Sequence, residues 1–278
     1  MSVLDLLYTK VYETSNSRTK FQYLRSLKDK KVDYIFIGSS RVESGIVPSI
    51  IYQKTGKTAL NLGFQAARLS DIYTLLQLIS EYNIQHQKIF VQLDYIYNMN
   101  GNSIAFQTQL MPFIRENKIL KKYNVTYSET AFSDYYIPFY RYCSNDLKIG
   151  LRELFANIIN MKINSINDKG YVSLSGNSNN PRGSLPSEVV KKSPIFDSIH
   201  SFVKKKNWNT TYFCAPFCKN IQNQKYITEL KLKTPCFLDF SKAIQNDKMF
   251  VNCNHLNDEG AKKFTEIFIE RVLIHNVK

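Results

Sequence analysis

The chain has 278 residues, of which 44% are hydrophobic, and 37 basic against 23 acidic residues give it a formal charge of +14. This length and composition predict one folded domain with a substantial core and exclude a disordered chain. No apolar run approaches the roughly 18 residues of a membrane-spanning helix, and the opening sequence, MSVLDLLYTKVYETSNSRTK, lacks the pattern of a secretory signal. These features predict a soluble protein made without an export signal.

The positive charge favours an acidic partner, such as an acidic glycan, an anionic lipid surface or a nucleic acid. The lysines are scattered, with small clusters at 30–31, 121–122 and 204–206. Neither a zinc-finger spacing nor an RNA-binding aromatic signature accompanies them, so we expect no nucleic-acid partner. A generally basic surface would explain the charge equally well.

The cysteines are odd in number and mostly lie in apolar contexts: Cys143, Cys214, Cys218, Cys236 and Cys253. The interval between Cys214 and Cys218 is too wide for a C-x-x-C redox motif, and no second pair completes a metal site. The sequence therefore predicts no bound metal and buried free thiols, which favour a reducing compartment.

Short apolar runs predict the strands of a sheet. Residues 32–38, VDYIFIG, form a continuous apolar run that is typical of a strand buried on both faces. Further strands are predicted at 58–63, 88–97 and 210–216, with a fifth candidate at 236–241.

Two amphipathic helices alternate with these strands. Apolar residues recur with helical spacing at 72, 75, 76 and 79, and Ser70 is well placed to cap the helix that contains them. Ala261, Phe264 and Phe268 predict a final helix. The alternation of strands and helices predicts a doubly wound α/β fold with a parallel sheet.

The rhythm breaks between about 99 and 205, where aromatic, helix-like patches precede a polar stretch. A segment of this length without regular strands is usually functional inside a compact domain. We therefore predict a single domain over 1–278 with an insertion at 99–205 that covers or flanks the site.

Candidate catalytic residues follow the predicted strands, where doubly wound sheets bind their ligands. Ser40 comes directly after the first strand, but a serine is a poor nucleophile unless a base takes its proton. The available histidines are His86, His200, His255 and His275. His255 differs from the others because it lies just before the last helix, where an imidazole could face the strand ends.

The order of these pieces resembles the SGNH (GDSL-like) hydrolase superfamily. Gly38-Ser39-Ser40 matches its first block, Asn61-Leu62-Gly63 its second, and HLNDEGA its fifth. The resemblance covers about 30–95 and 210–275. It implies a flavodoxin-like three-layer sandwich around a central parallel sheet of about five strands. The forms of the first and last blocks look most like bacterial branches that act on cell-envelope or exported polysaccharides.

The resemblance also implies roles for individual residues. Ser40 would attack an ester carbonyl while His255 accepts its proton, and the N–H groups of Ser40 and Gly63 would hold the developing oxyanion. This chemistry requires neither a metal nor an organic cofactor.

Two positions depart from the family pattern. Asn252 occupies the place of the acid three residues before His255, and Leu93 replaces the asparagine of the third block. An amide can still orient an imidazole by accepting its N–H, although it cannot offer it a negative charge.

Three polar residues near the strand ends are candidates for substrate binding, each with a structural alternative. Arg41 could bind an anionic substrate group bidentately or pair with Asp94 or Glu43. Asp94 could instead be a structural carboxylate, and Asn61 could merely stabilise the turn before Gly63.

We therefore expect an SGNH-type serine esterase or O-acyltransferase of a bacterial envelope or capsule pathway. Its expected substrate is a carbohydrate ester, and the positive charge of the chain suits an acidic glycan as the carbohydrate. The alternative is a catalytically weak glycan-binding protein with the same fold, which Asn252 and Leu93 favour. The missing export signal and the thiols predict a cytoplasmic location. The resemblance instead implies the cell envelope, with membrane association through a segment absent from this chain.

Overall fold

The computed structural model of the protein describes residues 1–163, 166 and 168–274. His275, one of the histidines considered above, lies outside the described residues. No helix within the described part of the chain is both long and apolar enough to cross a bilayer.

The strands are β1 (Lys31–Gly38), β2 (Ala59–Gly63), β3 (Gln85–Gln92), β4 (Arg182–Ser184), β5 (Thr210–Cys214), β6 (Asn220–Gln222), β7 (Phe237–Asp239), β8 (Phe250–Asn252) and β9 (His255–Leu256). The central sheet has five parallel strands in the order β2-β1-β3-β5-β7. This is the flavodoxin-like order of a doubly wound fold, as expected. Strands β4 and β6 form a small parallel pair, and β8 and β9 a short antiparallel one.

The α-helices are α1 (Ser2–Thr14), α2 (Lys20–Ser26), α3 (Ser40–Glu43), α4 (Pro48–Thr55), α5 (Leu69–Glu81), α6 (Ile104–Leu110), α7 (Lys118–Tyr127), α8 (Ala131–Tyr136), α9 (Tyr140–Cys143), α10 (Asp146–Ile149), α11 (Leu151–Ile158), α12 (Pro194–Lys205), α13 (Lys225–Lys233) and α14 (Asp258–Phe268). Helix α14 continues as a π-helix over Ile269–Ile274.

The predicted core positions of two helices are confirmed. The side chains with helical spacing in α5, and those of α14, are buried: Ile72, Leu75, Leu76, Ile79, Ala261, Phe264 and Phe268. The predicted cap of α5 is wrong. Ser70 lies inside the helix, and Arg68 is the N-cap because its N–H donates to the Asp71 carboxylate at 2.7 Å.

The third predicted strand is shorter than expected. Strand β3 ends at Gln92, and a 3₁₀-helix over Tyr95–Asn98 replaces the rest of the predicted strand. The cause is local, since the carboxylate of Asp94 accepts the N–H of Ile96 at 3.1 Å and turns the chain. The turn leaves Asp94 directly at the carboxyl edge of the sheet.

The N-terminal helices pack against the chain between β3 and β5. Asp5 of α1 is buried and pairs with both Arg115 and Arg141. The hydroxyl of Tyr12 donates to the carbonyl of Ile149 at 3.0 Å. These contacts join α1 to α9, to α10 and to the turn at Arg115.

The prediction of free thiols is wrong for two cysteines. Cys218 and Cys253 form a disulfide with Cα atoms 4.6 Å apart. Cys214 is a buried free thiol, as predicted, and burial raises its pKa well above the usual value, whereas Cys143 and Cys236 are exposed. Sequence spacing missed the bond because the two partners lie 35 residues apart and only the tertiary fold joins their loops.

Candidate active site

A tight strand-to-helix turn presents Ser40. Strand β1 ends at Gly38, and Ser39 caps α3, which begins at Ser40. A Cβ atom at Gly38 would lie 2.5 Å from the side chains of Gln92 and Val42, so only glycine fits there. The N–H and hydroxyl of Ser39 both donate to Oε1 of Gln92, at 2.7 and 2.9 Å. Ser40 therefore starts a helical turn whose entry is held rigidly.

The structure brings Ser40 and His255 together at the carboxyl edge of the sheet. Oγ of Ser40 lies 2.8 Å from Nε2 of His255. This distance falls within the range of roughly 2.6–3.2 Å for a serine and its general base. The predicted approach of the two side chains is therefore confirmed, while the role of Ser40 as a nucleophile stays a prediction.

Asn252 orients the imidazole from its other side. Its Oδ1 lies 3.0 Å from Nδ1 of His255 and also accepts the backbone N–H groups of Asn254 and His255, at 3.0 and 3.1 Å. An amide oxygen only accepts hydrogen bonds, so Nδ1 carries the proton. Nε2 is then the unprotonated nitrogen that faces the hydroxyl of Ser40.

The surroundings of His255 keep its ring neutral. Burial lowers the pKa of His255 below its usual value, and the positive charge of Arg41 adds to this effect, while Asp94 opposes it. Because the usual pKa of histidine is about 6.5, the ring is unprotonated at neutral pH and able to accept a proton.

The direction of this pKa shift predicts a pH profile. A base must be neutral to act, so ester turnover should fall to half of its plateau value only at a pH below the usual histidine pKa of about 6.5. In the variant Asn252→Asp a carboxylate would stabilise the imidazolium and raise the pKa of His255, so the loss should begin at higher pH. Turnover on the plateau should rise, by less than about 10⁴-fold. Turnover of an aryl acetate across pH measures both effects, and identical profiles for the two proteins would contradict the assignment of His255 as base.

The predicted oxyanion role of Gly63 is wrong in this geometry. Its N–H donates to Oδ1 of Asn61 at 2.9 Å, and a Cβ atom at Gly63 would lie 2.1 Å from the backbone N of Glu43. Only glycine can pack this closely beneath α3, which explains the residue type at position 63. Its N–H already has an acceptor and is not available to an oxyanion.

The turn after β2 offers other donors. The backbone N–H groups of Ser40, Gln65 and Ala66 find no hydrogen-bond acceptor within the described part of the chain. Gln65 and Ala66 are exposed, and Ala66 adopts a left-handed φ of 55°. Sequence reasoning missed this turn because the positive φ falls on an alanine, where no glycine marked it. Ser40 and this turn therefore keep free N–H groups after β1 and β2, whereas the amide of Gly63 does not.

Asn61 is structural, which corrects its assignment to substrate binding. Its side chain is fully buried, and its amide group donates to the carbonyls of Val42 and Ile46, at 2.7 and 2.8 Å. With Oδ1 bound to Gly63, each polar atom of the side chain has a partner. Asn61 ties β2 to the chain that follows Ser40.

Arg41 and Asp94 are also structural, so the substrate-binding assignment is wrong for both. They form a buried ion pair. The guanidinium also donates to the carbonyls of Ala215, Pro216 and Asn254, at 2.8, 2.6 and 3.0 Å. These contacts use four of the five guanidinium N–H groups, and the side chain of Arg41 is only 1% exposed, so a substrate anion cannot reach it. The pair instead joins the ends of β1, β3 and β5 to the loop that carries His255.

Leu93 is fully buried and contributes no donor. The neighbouring Gln92 supports the serine turn, a role that the sequence did not reveal. Its Oε1 holds Ser39, and its Nε2 donates to Asp94 at 2.6 Å. Strand alternation correctly turns Gln92 away from Leu93, and this direction places it beneath the serine turn.

The Cys218–Cys253 disulfide reinforces the histidine loop. Cys253 lies between Asn252 and His255, and Cys218 follows β5. The N–H of Cys218 also donates to the carbonyl of Cys253 at 3.0 Å. The bond therefore anchors the loop that positions the imidazole.

Within the described residues, no group of acidic, histidine or cysteine side chains could hold a metal ion.

Comparisons with known proteins find structural similarity at a low level and no match in sequence. No family model matches the chain, and no curated protein matches it. A solved structure from Streptococcus pneumonia, described as a platelet activating factor, shares 13% identity, covers 95% of this chain and 90% of its own, and has a TM-score of 0.41. One from Desulfitobacterium hafniense DCB-2, described as a lipolytic protein of the G-D-S-L family, shares 11% identity, covers 84% and 96%, and has a TM-score of 0.29. Neither similarity is close enough to assign an activity to this chain.

Proposed function

We propose that the protein is an SGNH-type serine esterase or O-acyltransferase. The observation that supports this function is the chain of contacts from Ser40 to His255 at 2.8 Å and from His255 to Asn252 at 3.0 Å. A hydroxyl, an imidazole and an orienting acceptor in this order are the arrangement that activates a serine.

The arrangement accounts for each proton of the reaction. Oγ of Ser40 attacks the ester carbonyl while Nε2 of His255 takes the hydroxyl proton. The carbonyl oxygen becomes an oxyanion, which the N–H groups of Ser40 and the turn at 65–66 stabilise. Collapse breaks the bond to the alcohol, and His255 gives the proton to the leaving oxygen. Water or a second hydroxyl then attacks the acyl-serine by the same steps in reverse.

We further propose a carbohydrate ester as the substrate class. A cavity of about 390 Å³ borders the histidine loop, and it is lined by Tyr95, Asn98, Met99, Ser184, Leu185, Pro186 and Asn254. A half-buried tyrosine ring beside amide and hydroxyl side chains suits a polyol on the leaving-group side. The charge of +14 suits an acidic glycan.

An envelope or capsule pathway is the proposed setting. The disulfide of Cys218 and Cys253 is typical of chains that fold in an oxidising compartment, which replaces the earlier inference from free thiols. The setting also fits a membrane-associated enzyme.

A fluorophosphonate probe tests the proposed chemistry. We expect one covalent adduct on the native chain and none on Ser40→Ala, because only an activated serine reacts with such a probe. Mass spectrometry of the labelled peptide identifies the site. Labelling that persists in Ser40→Ala would exclude Ser40 as the nucleophile. No labelling of the native chain would favour the glycan-binding alternative.

A further inference from the structure

An apolar groove lies beside the candidate active site, on the face built by the N-terminal helices and the insertion. Its volume is about 490 Å³, which is within the range of small-molecule sites. The apolar part of its wall consists of Phe64, Ile104, Ala105, Ile149, Ile163 and Val172.

The groove begins close to Ser40. Phe64 donates its N–H to the carbonyl of Gly38 at 3.1 Å, and Val172 donates to the carbonyl of Glu43 at 3.0 Å. Glu43 ends the helical turn that Ser40 begins, about 4.5 Å further along the axis. Gln65, which carries one of the free N–H groups near the site, also lines the groove. An ester carbonyl held by that turn would therefore have its acyl group at the mouth of the groove.

The buried charges in the groove are already neutralised. Nζ of Lys20 lies 2.6 Å from the carboxylate of Glu43, and Arg18 makes two contacts with Glu153, at 2.7 and 3.2 Å. A buried ion pair of this kind leaves no strong site for a second anion. Lys148, the other cation of the lining, is exposed, so the buried part of the groove offers no site for the charged part of an acidic glycan.

The groove also lacks a surface for a sugar ring. Phe64 is its aromatic residue, and its ring is buried in an edge contact with Phe106, with the centroids 4.9 Å apart. The aliphatic side chain of Ile104 is 72% exposed at the rim. Exposed aliphatic atoms around a concave site favour an aliphatic ligand.

We infer that this groove binds the aliphatic acyl chain of the ester substrate, so that the enzyme prefers medium-chain fatty acyl esters to acetyl esters. The inference rests on the proposed function and names its acyl group. The acyl chain lies against the insertion, and the alcohol part of the substrate lies on the side of His255.

Chain-length dependence of turnover is the first test. The kcat/KM for p-nitrophenyl octanoate should exceed that for the acetate by about tenfold or more, because each methylene that leaves water contributes a factor of about four. Ala105→Trp fills the groove and should lower the ratio of the octanoate kcat/KM to the acetate kcat/KM to about one. Leu232→Trp, at a position that is 85% exposed and outside the groove, is the matched control and should keep the preference. Equal values for both esters in the native chain would overturn the inference.

A second variant covers the case in which Ala105→Trp does not fold. Ile104→Glu places a charge at the exposed rim, where it should leave the fold intact but weaken octanoate turnover by about tenfold relative to acetate. An unchanged octanoate preference in a folded Ile104→Glu protein would overturn the inference.

Direct binding separates this inference from the proposed function. Ser40→Ala, which cannot turn over an ester, should bind a fluorescent fatty acid that octanoate displaces, and Ser40→Ala/Ile104→Glu should bind it at least about tenfold more weakly. Binding without any ester turnover by the native chain would contradict the proposed function and support the groove. Acetate turnover without fatty-acid binding would support the function and overturn the groove.

Discussion

Replacing Ser40 by alanine should reduce ester turnover by about 10⁴-fold or more. Removing the nucleophile of a serine-protease triad costs about 10⁶-fold, and the site here has an amide where such a triad has a carboxylate. The oxygen of Ser40 lies 2.8 Å from Nε2 of His255, so the variant removes the atom that attacks and the proton that the base accepts. The measurement is the turnover of an aryl ester by the purified proteins at neutral pH.

Ser39→Ala is the matched control for this prediction. Ser39 is adjacent in sequence and buried, and its hydroxyl donates to Gln92 at 2.9 Å. Its loss should lower the free energy of unfolding by about 1 kcal/mol, since it removes a helix cap and one hydrogen bond. Turnover should fall by less than about tenfold. Equal losses in the two variants would show that rigidity of the turn, and not the nucleophile at 40, controls the rate.

Asp94→Ala should lower the free energy of unfolding by about 3–5 kcal/mol. The variant leaves the buried guanidinium of Arg41 without its carboxylate, and breaking a buried ion pair at one partner has a cost of this size. Two further donors, Nε2 of Gln92 and the N–H of Ile96, also lose the carboxylate that accepts their hydrogen bonds. Urea denaturation of the two proteins measures the difference.

A surface ion pair provides the comparison. Lys54 and Glu266 lie 3.4 Å apart with most of the lysine side chain exposed, so Glu266→Ala should cost less than about 1 kcal/mol. Asp94→Ala should also weaken turnover, since Arg41 holds the carbonyl of Asn254 beside His255. If Asp94→Ala costs no more than Glu266→Ala, the buried pair does not stabilise the fold.

The strands and helices that follow from a local pattern of apolar residues could be predicted from the sequence. The apolar run at 32–38 predicts a strand because a strand buried on both faces needs apolar residues throughout, and β1 is found there. Helical spacing similarly predicts the buried faces of α5 and α14. The pairing of Ser40 with His255 could also be predicted, because the order of the short motifs resembles that of a superfamily in which these two positions meet at the sheet edge. The third strand was predicted too long because hydrophobicity does not register the turn at Asp94.

The tertiary structure alone decided which polar residues at the sheet edge remain available. Arg41, Asp94 and Asn61 are residue types that bind substrates, yet each is surrounded by backbone and side-chain partners from other parts of the chain. The same holds for the amide of Gly63. Sequence determines the chemistry that a side chain can perform, whereas its accessibility depends on contacts between segments far apart in the chain. A buried polar group must find partners, and in this protein the partners come from distant loops.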